Sequence, residues 1–530
     1  MRAVTAPAPD AVGAPWESLV APALAAAVAV AAWVIGWRGV DVPAALYRVS
    51  LFHRHGLTLW DSQWYGGHFT LDYSVIFPPL AGVLGLQVTT VLSAIVAAVS
   101  FDRLVCGHFG RGARLGSSTF AIGTLVQASI GQLPFLLGEA LALSACWAAT
   151  GKRWRLAVAL GLAASLASPL AGAFLLLAAV AWLITTWPDH RAGLLGVAAA
   201  TALPIVALAV LFPGQGMMPF PSPDFLFEGA VFTIVLLFVP RRERALKVGL
   251  LLYLVAFVLS FWLPTAVGGN VERLGETVGF PLALCVLWSV RDRIPAALAV
   301  TAVAVPLFLI QWGPALPAFA ATHNDPSIHR TYFQPMLDFL TAHEQPVARV
   351  EVVPTRDHWE AAYAAPLFPL ARGWERQLDT ADNPIFYAKG ALTPAAYRAW
   401  LLDNGVQYVA LADVRLDYAG APEGRLVAHG VPGLQLVWHN AHWRIYAVDA
   451  ATGMVTGPAR LVSISGGQVL LDVTAPGTIE VRERYNPRWA VTEGSGCTHE
   501  DSAGWLQVQA LAPGPLRVQL RLLAPGGDAC

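Results

Sequence analysis

The feature that most constrains this chain is a succession of apolar runs confined to residues 1–312. They lie near 19–37, 80–101, 115–131, 133–150, 156–167, 169–187, 192–212, 225–240, 248–264, 277–290 and 295–312. A bilayer core takes roughly 20 apolar residues of helix to cross. Inside lipid every backbone N–H and C=O must be satisfied within the segment, so such runs fold as helices. Only 13% of the 530 residues are charged and 56% are hydrophobic, whereas soluble domains carry about 25% charged residues. The reading is a polytopic α-helical membrane domain of about eleven transmembrane helices. The first run is too long for a signal-peptide core and follows only Arg2, so it reads as an uncleaved first helix. With 34 basic against 35 acidic residues, the electrostatic basis for binding nucleic acid is missing.

Loop charges give an orientation. Lys and Arg concentrate in alternate loops: Arg103, Arg111 and Arg114; Lys152, Arg153 and Arg155; Arg191; Arg241, Arg242, Arg244 and Lys247; Arg291 and Arg293. Cytoplasmic loops carry this excess. The expectation is a multi-pass plasma-membrane protein with a cytoplasmic N-terminus. An odd helix count then makes the C-terminal part extracytoplasmic. Beyond the first outer loop, the one basic residue on the outer side is Arg273, in Gly268-Gly269-Asn270-Val271-Glu272-Arg273. A cation placed against the bias suits an anionic ligand such as a polyprenyl phosphate, with Asn270 beside it. Pairing with Glu272 or Glu276 is the plainer alternative. The outer loop 212–221 reads as a stiff Pro/Gly connector. Glu139, inside an apolar run, is either functional or a hydrogen-bonded acid.

The remainder looks soluble. Over 313–450 a strand at 347–354, a helix opened by Thr393-Pro394 and stopped by Gly405, and a strand Val406–Ala412 suggest an α/β subdomain. Over 451–530, short alternating runs spaced by Gly and Pro suggest a β-sandwich. Cys497 and Cys530 lie in this part and are candidates for a disulfide in an oxidising compartment.

Between the first two apolar runs lies loop 38–79, in which Asp41–Pro79 packs three Asp, three His, two Arg, two Trp and a Gly-Gly pair. Asp41 precedes a segment with Pro43 near its start and Gly56 as a stop, and Ala45, Leu46, Val49 and Phe52 recur at helical spacing. The expectation is an interfacial helix presenting Arg48, Arg54 and His55 to polar groups. Glycosyl transfer to a hydroxyl needs a carboxylate to take the proton, positive charge or a metal for the departing phosphate, and aromatic and hydrogen-bonding groups for the sugar. Asp41, Asp61 and Asp72 supply the first. Arg48, Arg54, His53, His55 and His68 supply the second. Trp60, Trp64 and Tyr65 supply the third, and Gly66-Gly67 permits close backbone approach. A divalent metal ion is a candidate cofactor, although His53-x-His55 fixes no third ligand by spacing. A helix cap at Asp41 and an interfacial aromatic belt are the simpler readings of the same residues.

Gly56-Leu57-Thr58-Leu59-Trp60-Asp61, then Trp64-Tyr65-Gly66-Gly67 and Phe77-Pro78-Pro79-Leu80, resemble the first outer loop of a bacterial membrane-protein group. That group is named after a 6-pyruvoyl-tetrahydropterin-synthase-related membrane domain and is similar to GT-C glycosyltransferases. Gly269–Gly275, Asp357–Tyr363 and Arg372–Arg376 look like actinobacterial members. The resemblance implies a GT-C-like membrane domain and a polyprenyl-phosphate sugar donor. It also implies a cell-envelope glycan, lipid or protein as acceptor. Asp41 is the implied base and Asp61 the second choice. Arg372, Trp374 and Glu375 are candidates for acceptor contact in the C-terminal part, with a structural role as the alternative. A transporter or flippase of a lipid-linked intermediate and a non-catalytic envelope-assembly protein are the alternatives.

Overall fold

The computed structural model describes residues 15–522 and 530, apart from 215, 292, 293, 314, 323, 344–346 and 348. Arg2 and Arg293 of the charge analysis, and Ala348 of the expected strand, lie outside the described residues. The chain forms two compact units that do not follow sequence order. One comprises Met1–Val42 and Asp72–His323, the other Pro43–Leu71 and Asn324–Cys530. The middle of loop 38–79 therefore folds with the C-terminal half.

In the first unit every apolar run is helical: Val20–Ile35, Leu86–Phe109, Arg114–Ile130, Leu133–Thr150, Trp154–Ala167, Pro169–Thr186, Arg191–Leu211, Ser222–Phe238, Arg244–Trp262, Phe280–Val290 and Ile294–Trp312. Among the described residues, eight spans are long and apolar enough to cross a membrane, which makes this a multi-pass membrane protein. The expected count of eleven is not confirmed. Arg114–Ile130 and Ser222–Phe238 have 17 residues each, and Trp154–Ala167 has 14. The closely spaced breaks are real helix ends. Gly131 closes one helix in the left-handed conformation. Ser168 caps the next pair by accepting from the Ala171 N–H, with Pro169 in the first turn. Small residues bring helices together, with Ala21, Ala25 and Ala29 in one cluster with Ala94, Ala97 and Ala98. Val34, Val210, Leu237 and Trp262 stay exposed, as lipid-facing residues do.

The second unit holds a four-stranded mixed sheet. Arg349–Val352 pairs parallel with Val406–Ala412, followed by the antiparallel strands Trp443–Val448 and Leu434–His439. Helix Pro394–Asp403 is capped by Thr393 as expected. Two four-stranded antiparallel sheets follow. Alternate residues such as Val469, Leu471 and Val473, or Ile479 and Val481, are buried, as in a sandwich. Strands Trp489–Glu493 and Gly496–Glu500 were not expected from the sequence. Cys497 and Cys530 are bonded, with Cα atoms 5.2 Å apart.

Candidate active site

Asp41 stays in the helical unit. The backbone before it is fastened to the end of helix Arg114–Ile130: the Gly39 N–H donates to Ser129 O at 2.7 Å and the Asp41 N–H to Ile130 O at 2.9 Å. Gly131 is required there, because a Cβ would lie 2.3 Å from Val42 N. The Asp41 carboxylate is largely buried and meets Arg273 Nη2 at 3.5 Å. Arg273 sits between a 3₁₀ turn, Gly268–Glu272, and a π-helical turn, Gly275–Gly279. Departures of this kind are frequent at functional sites. Loop 212–221 braces the segment, with the Met218 N–H donating to Thr265 O and the Gly269 N–H to Pro219 O. Arg273 also lies 5.6 Å from the Phe135 ring centroid. Glu276 interacts by charge with both Arg273 and Asp41. Asn270 is half-buried in the 3₁₀ turn, its N–H donating to Val267 O at 2.8 Å.

The residues after Arg273 line a cavity of about 600 Å³ through Leu274, Gly275 and Thr277. Its wall is almost wholly apolar and reaches Val105 and His108 at the far end of helix Leu86–Phe109. Glu139 is the carboxylate in that wall. Gln127 Nε2 donates to its Oε2 at 2.8 Å, while its Oε1 has no hydrogen-bond partner among the described residues.

Most of the other loop residues lie in the second unit, and almost all are inside it. Helix Val42–His55 buries Ala44, Tyr47, Arg48 and Leu51. Arg48 is 4% exposed and hydrogen-bonds Glu375. Its Nη2 also meets His68 Nε2 at 3.0 Å. Burial and the Arg48 charge hold the His68 imidazole well below its ordinary range, so the ring is neutral and accepts from Arg48. Asp61 is fully buried, and Tyr47 Oη donates to it at 2.7 Å. Burial raises its carboxyl, against the Arg48 charge and the Tyr47 hydrogen bond. Trp64 is fully buried between Tyr47, 4.4 Å centroid to centroid, and His68, 5.4 Å. Trp60 Nε1 donates to Glu483 Oε1 at 2.7 Å, and Tyr65 Oη to Glu375 O at 2.9 Å.

The backbone of the loop ties the sandwich to the mixed-sheet subdomain. The Arg484 N–H donates to Gly66 O at 2.6 Å and the Leu370 N–H to Gln63 O at 2.8 Å. The atoms that crowd the Gly-Gly pair are protein atoms: a Cβ on Gly66 would meet the Trp505 ring at 2.8 Å, and one on Gly67 would meet Glu483 Oε1 and Trp60 Nε1 at 2.4 Å. His53 and His55 are exposed, as is Arg54, whose Nη1 donates to Pro366 O.

Of the C-terminal candidates, Arg372 is buried between Asp379 and Glu423, Trp374 is half-buried, and Glu375 is the partner of Arg48. Sequence reasoning missed Tyr47, Arg349 and Glu483. The signal for Arg349 was available: Arg349-Val350-Glu351-Val352 puts two charges on one face of a strand whose other face is valine, and all four residues are buried. Among the described residues, no group of three or more His, Cys, Asp or Glu side chains is placed to hold a metal ion.

No family model matches the chain, and no curated protein matches it. Among solved structures, the chain is similar to the arabinofuranosyltransferase AftD from Mycobacteria, determined by single-particle cryo-EM. The identity is 16% and the TM-score 0.48, over 83% of this chain and 40% of that one. The chain thus corresponds to less than half of the length of AftD.

Proposed function

We propose that this chain is a membrane glycosyltransferase that moves a sugar from a polyprenyl-phosphate donor to a cell-envelope glycan, lipid or protein on the extracytoplasmic face. One observation carries the reading: the 3.5 Å pair of Asp41 and Arg273 sits on the segment whose next residues line the apolar cavity of about 600 Å³. An isoprenoid chain suits that wall, and a guanidinium beside it suits a phosphate. The acceptor hydroxyl attacks the anomeric carbon, the bond to the phosphate oxygen breaks, and the hydroxyl proton passes to Asp41. Arg273 stabilises the charge on the departing polyprenyl phosphate. A phosphate arriving at Arg273 competes with Asp41 for the guanidinium, so donor binding frees the base. The loop charges support the N-terminus inside and the second unit outside. In this reading Arg48, Trp60, Asp61, Trp64, Tyr65 and His68 build the outer unit, while His53 and His55 lie at its surface.

The same cavity, with Glu139 in its wall, favours a flippase as the second reading. Purified protein in liposomes, given radiolabelled polyprenyl-phosphate sugars and, separately, nucleotide sugars, separates the two. Transfer from the lipid-linked donor supports the enzyme. Translocation without transfer supports the flippase, and use of nucleotide sugars alone would sink the donor assignment.

A further inference from the structure

We propose that the outer unit carries a second binding site, for a neutral sugar, which stands whether or not the chain transfers one. It is a cleft of about 380 Å³ within that unit, between the end of helix Val42–His55 and the Ser465-Gly466-Gly467-Gln468 turn of the sandwich. That volume falls within the range of small-molecule sites.

The chemistry of the lining selects the ligand. No Asp, Glu, Lys or Arg lines the cleft, so it offers nothing to a phosphate or an amine. The polar groups are the His55 imidazole, the Ser465 hydroxyl and the Gln468 and Gln519 amides. None of these four side chains makes a hydrogen bond to protein among the described residues, although they share one small volume. Burial and the neighbouring Arg54 charge lower the His55 pKa, so its ring joins the set as a neutral donor and acceptor. The backbone, by contrast, is already satisfied: Gly466 O accepts from Thr58 Oγ1 at 3.1 Å, and Gly467 O accepts from the Leu520 N–H at 2.9 Å.

The room itself depends on the glycines. Both are left-handed, with φ +56° and +72°. A Cβ on Gly466 would come within 3.1 Å of the His55 ring, and one on Gly467 within 3.1 Å of Trp60 Cβ. Neutral amides, a hydroxyl and an imidazole, beside the exposed Leu57 side chain, match a ring that presents hydroxyls on its edge and C–H groups on its face. The ligand class is a neutral mono- or oligosaccharide.

The test uses the full chain in nanodiscs, which keeps sugar-headed detergents away from the site. The probes are neutral pentose and hexose oligosaccharides of about two to four units, with glucosamine and glucose 1-phosphate as charged controls. Binding is read by saturation-transfer NMR and calorimetry. The expected result is millimolar or tighter binding of at least one neutral probe. Q468A and Q519A, at exposed and half-exposed strand positions, should each weaken it tenfold or more, and S465W should abolish it, all at unchanged melting temperature. If S465W misfolds, the two glutamine variants decide. Absence of binding by every neutral probe, binding indifferent to Q468A and Q519A, or preference for a charged control would each overturn the proposal.

Discussion

Replacing Arg48 by Met tests whether the loop of residues 43–71 holds the second unit together or faces a ligand. Arg48 and Glu375 are 4% and 5% exposed and hydrogen-bond each other directly. Removing one partner of a buried pair strands the other charge, at a cost of about 3–5 kcal/mol. Met keeps the contact with Trp64, whose ring centroid lies 5.2 Å from the Arg48 guanidinium carbon, so the loss is electrostatic rather than a cavity. Glu375 is already raised above its ordinary range by burial, against the Arg48 charge, and loses that opposing charge in the variant. A carboxyl whose folded pKa lies above its unfolded value favours the fold at low pH and loses that contribution as pH rises through the folded value. The deficit should therefore be larger at pH 8 than at pH 5. The double variant R48M/E375M removes both charges and should recover most of the loss. About 1 kcal/mol would remain for the hydrogen bond that His68 no longer receives. Hydrogen exchange of amides in 43–71 and 324–530, measured on the intact protein, reports the stability of this unit. If R48M changes exchange by less than about 0.5 kcal/mol, below the usual range for burial of an unpaired charge, yet abolishes sugar transfer, the structural assignment of Arg48 is wrong.

Three further outcomes follow from the second unit. Burial pushes Glu483 up to about 7, against the Arg349 charge and the Trp60 hydrogen bond, so stability should fall by roughly 3 kcal/mol between about pH 4.5 and 7 and then level off; E483Q should flatten that slope in pH-dependent unfolding. Gly67→Ala forces a Cβ to 2.4 Å from Glu483 and Trp60 at φ +110° and should cost about 2–4 kcal/mol from backbone strain and overpacking, read as a lower unfolding midpoint. Cys497→Ser opens a link across 33 positions and should cost about 3–4 kcal/mol by the loop-entropy model, with a matching loss in wild type under reductant.

The helical half was legible because lipid leaves the backbone one choice. Period, caps and proline punctuation located helices even at Gly131 and Ser168. What length and composition withheld is how many of them cross on their own. Strands Trp489–Glu493 and Gly496–Glu500 escaped notice because they are short and carry polar or charged residues, and their pairing is fixed by neighbours distant in sequence. Asp41 and Arg273 could each be picked for chemistry, but only the fold brings them to 3.5 Å. The Trp60–Phe69 stretch misleads for a physical reason. A motif dense in aromatic and charged residues looks like a binding surface, yet the same composition serves a buried joint when the partners, Glu375, Glu483 and Trp505, come from more than 300 positions away. Nothing local in the sequence distinguishes the two.

In the proposed mechanism the chemistry sits at Asp41 and Arg273 in the helical unit, while the aromatic loop is structural. The most direct measurement is transfer from a polyprenyl-phosphate sugar by D41N and by W64F, each with its unfolding midpoint. D41N should lose at least about a hundredfold in kcat per folded molecule, the usual scale for a general base. W64F should lower the midpoint while the folded fraction keeps its kcat. Full activity in D41N, or loss of kcat in a W64F protein as stable as wild type, would contradict that mechanism.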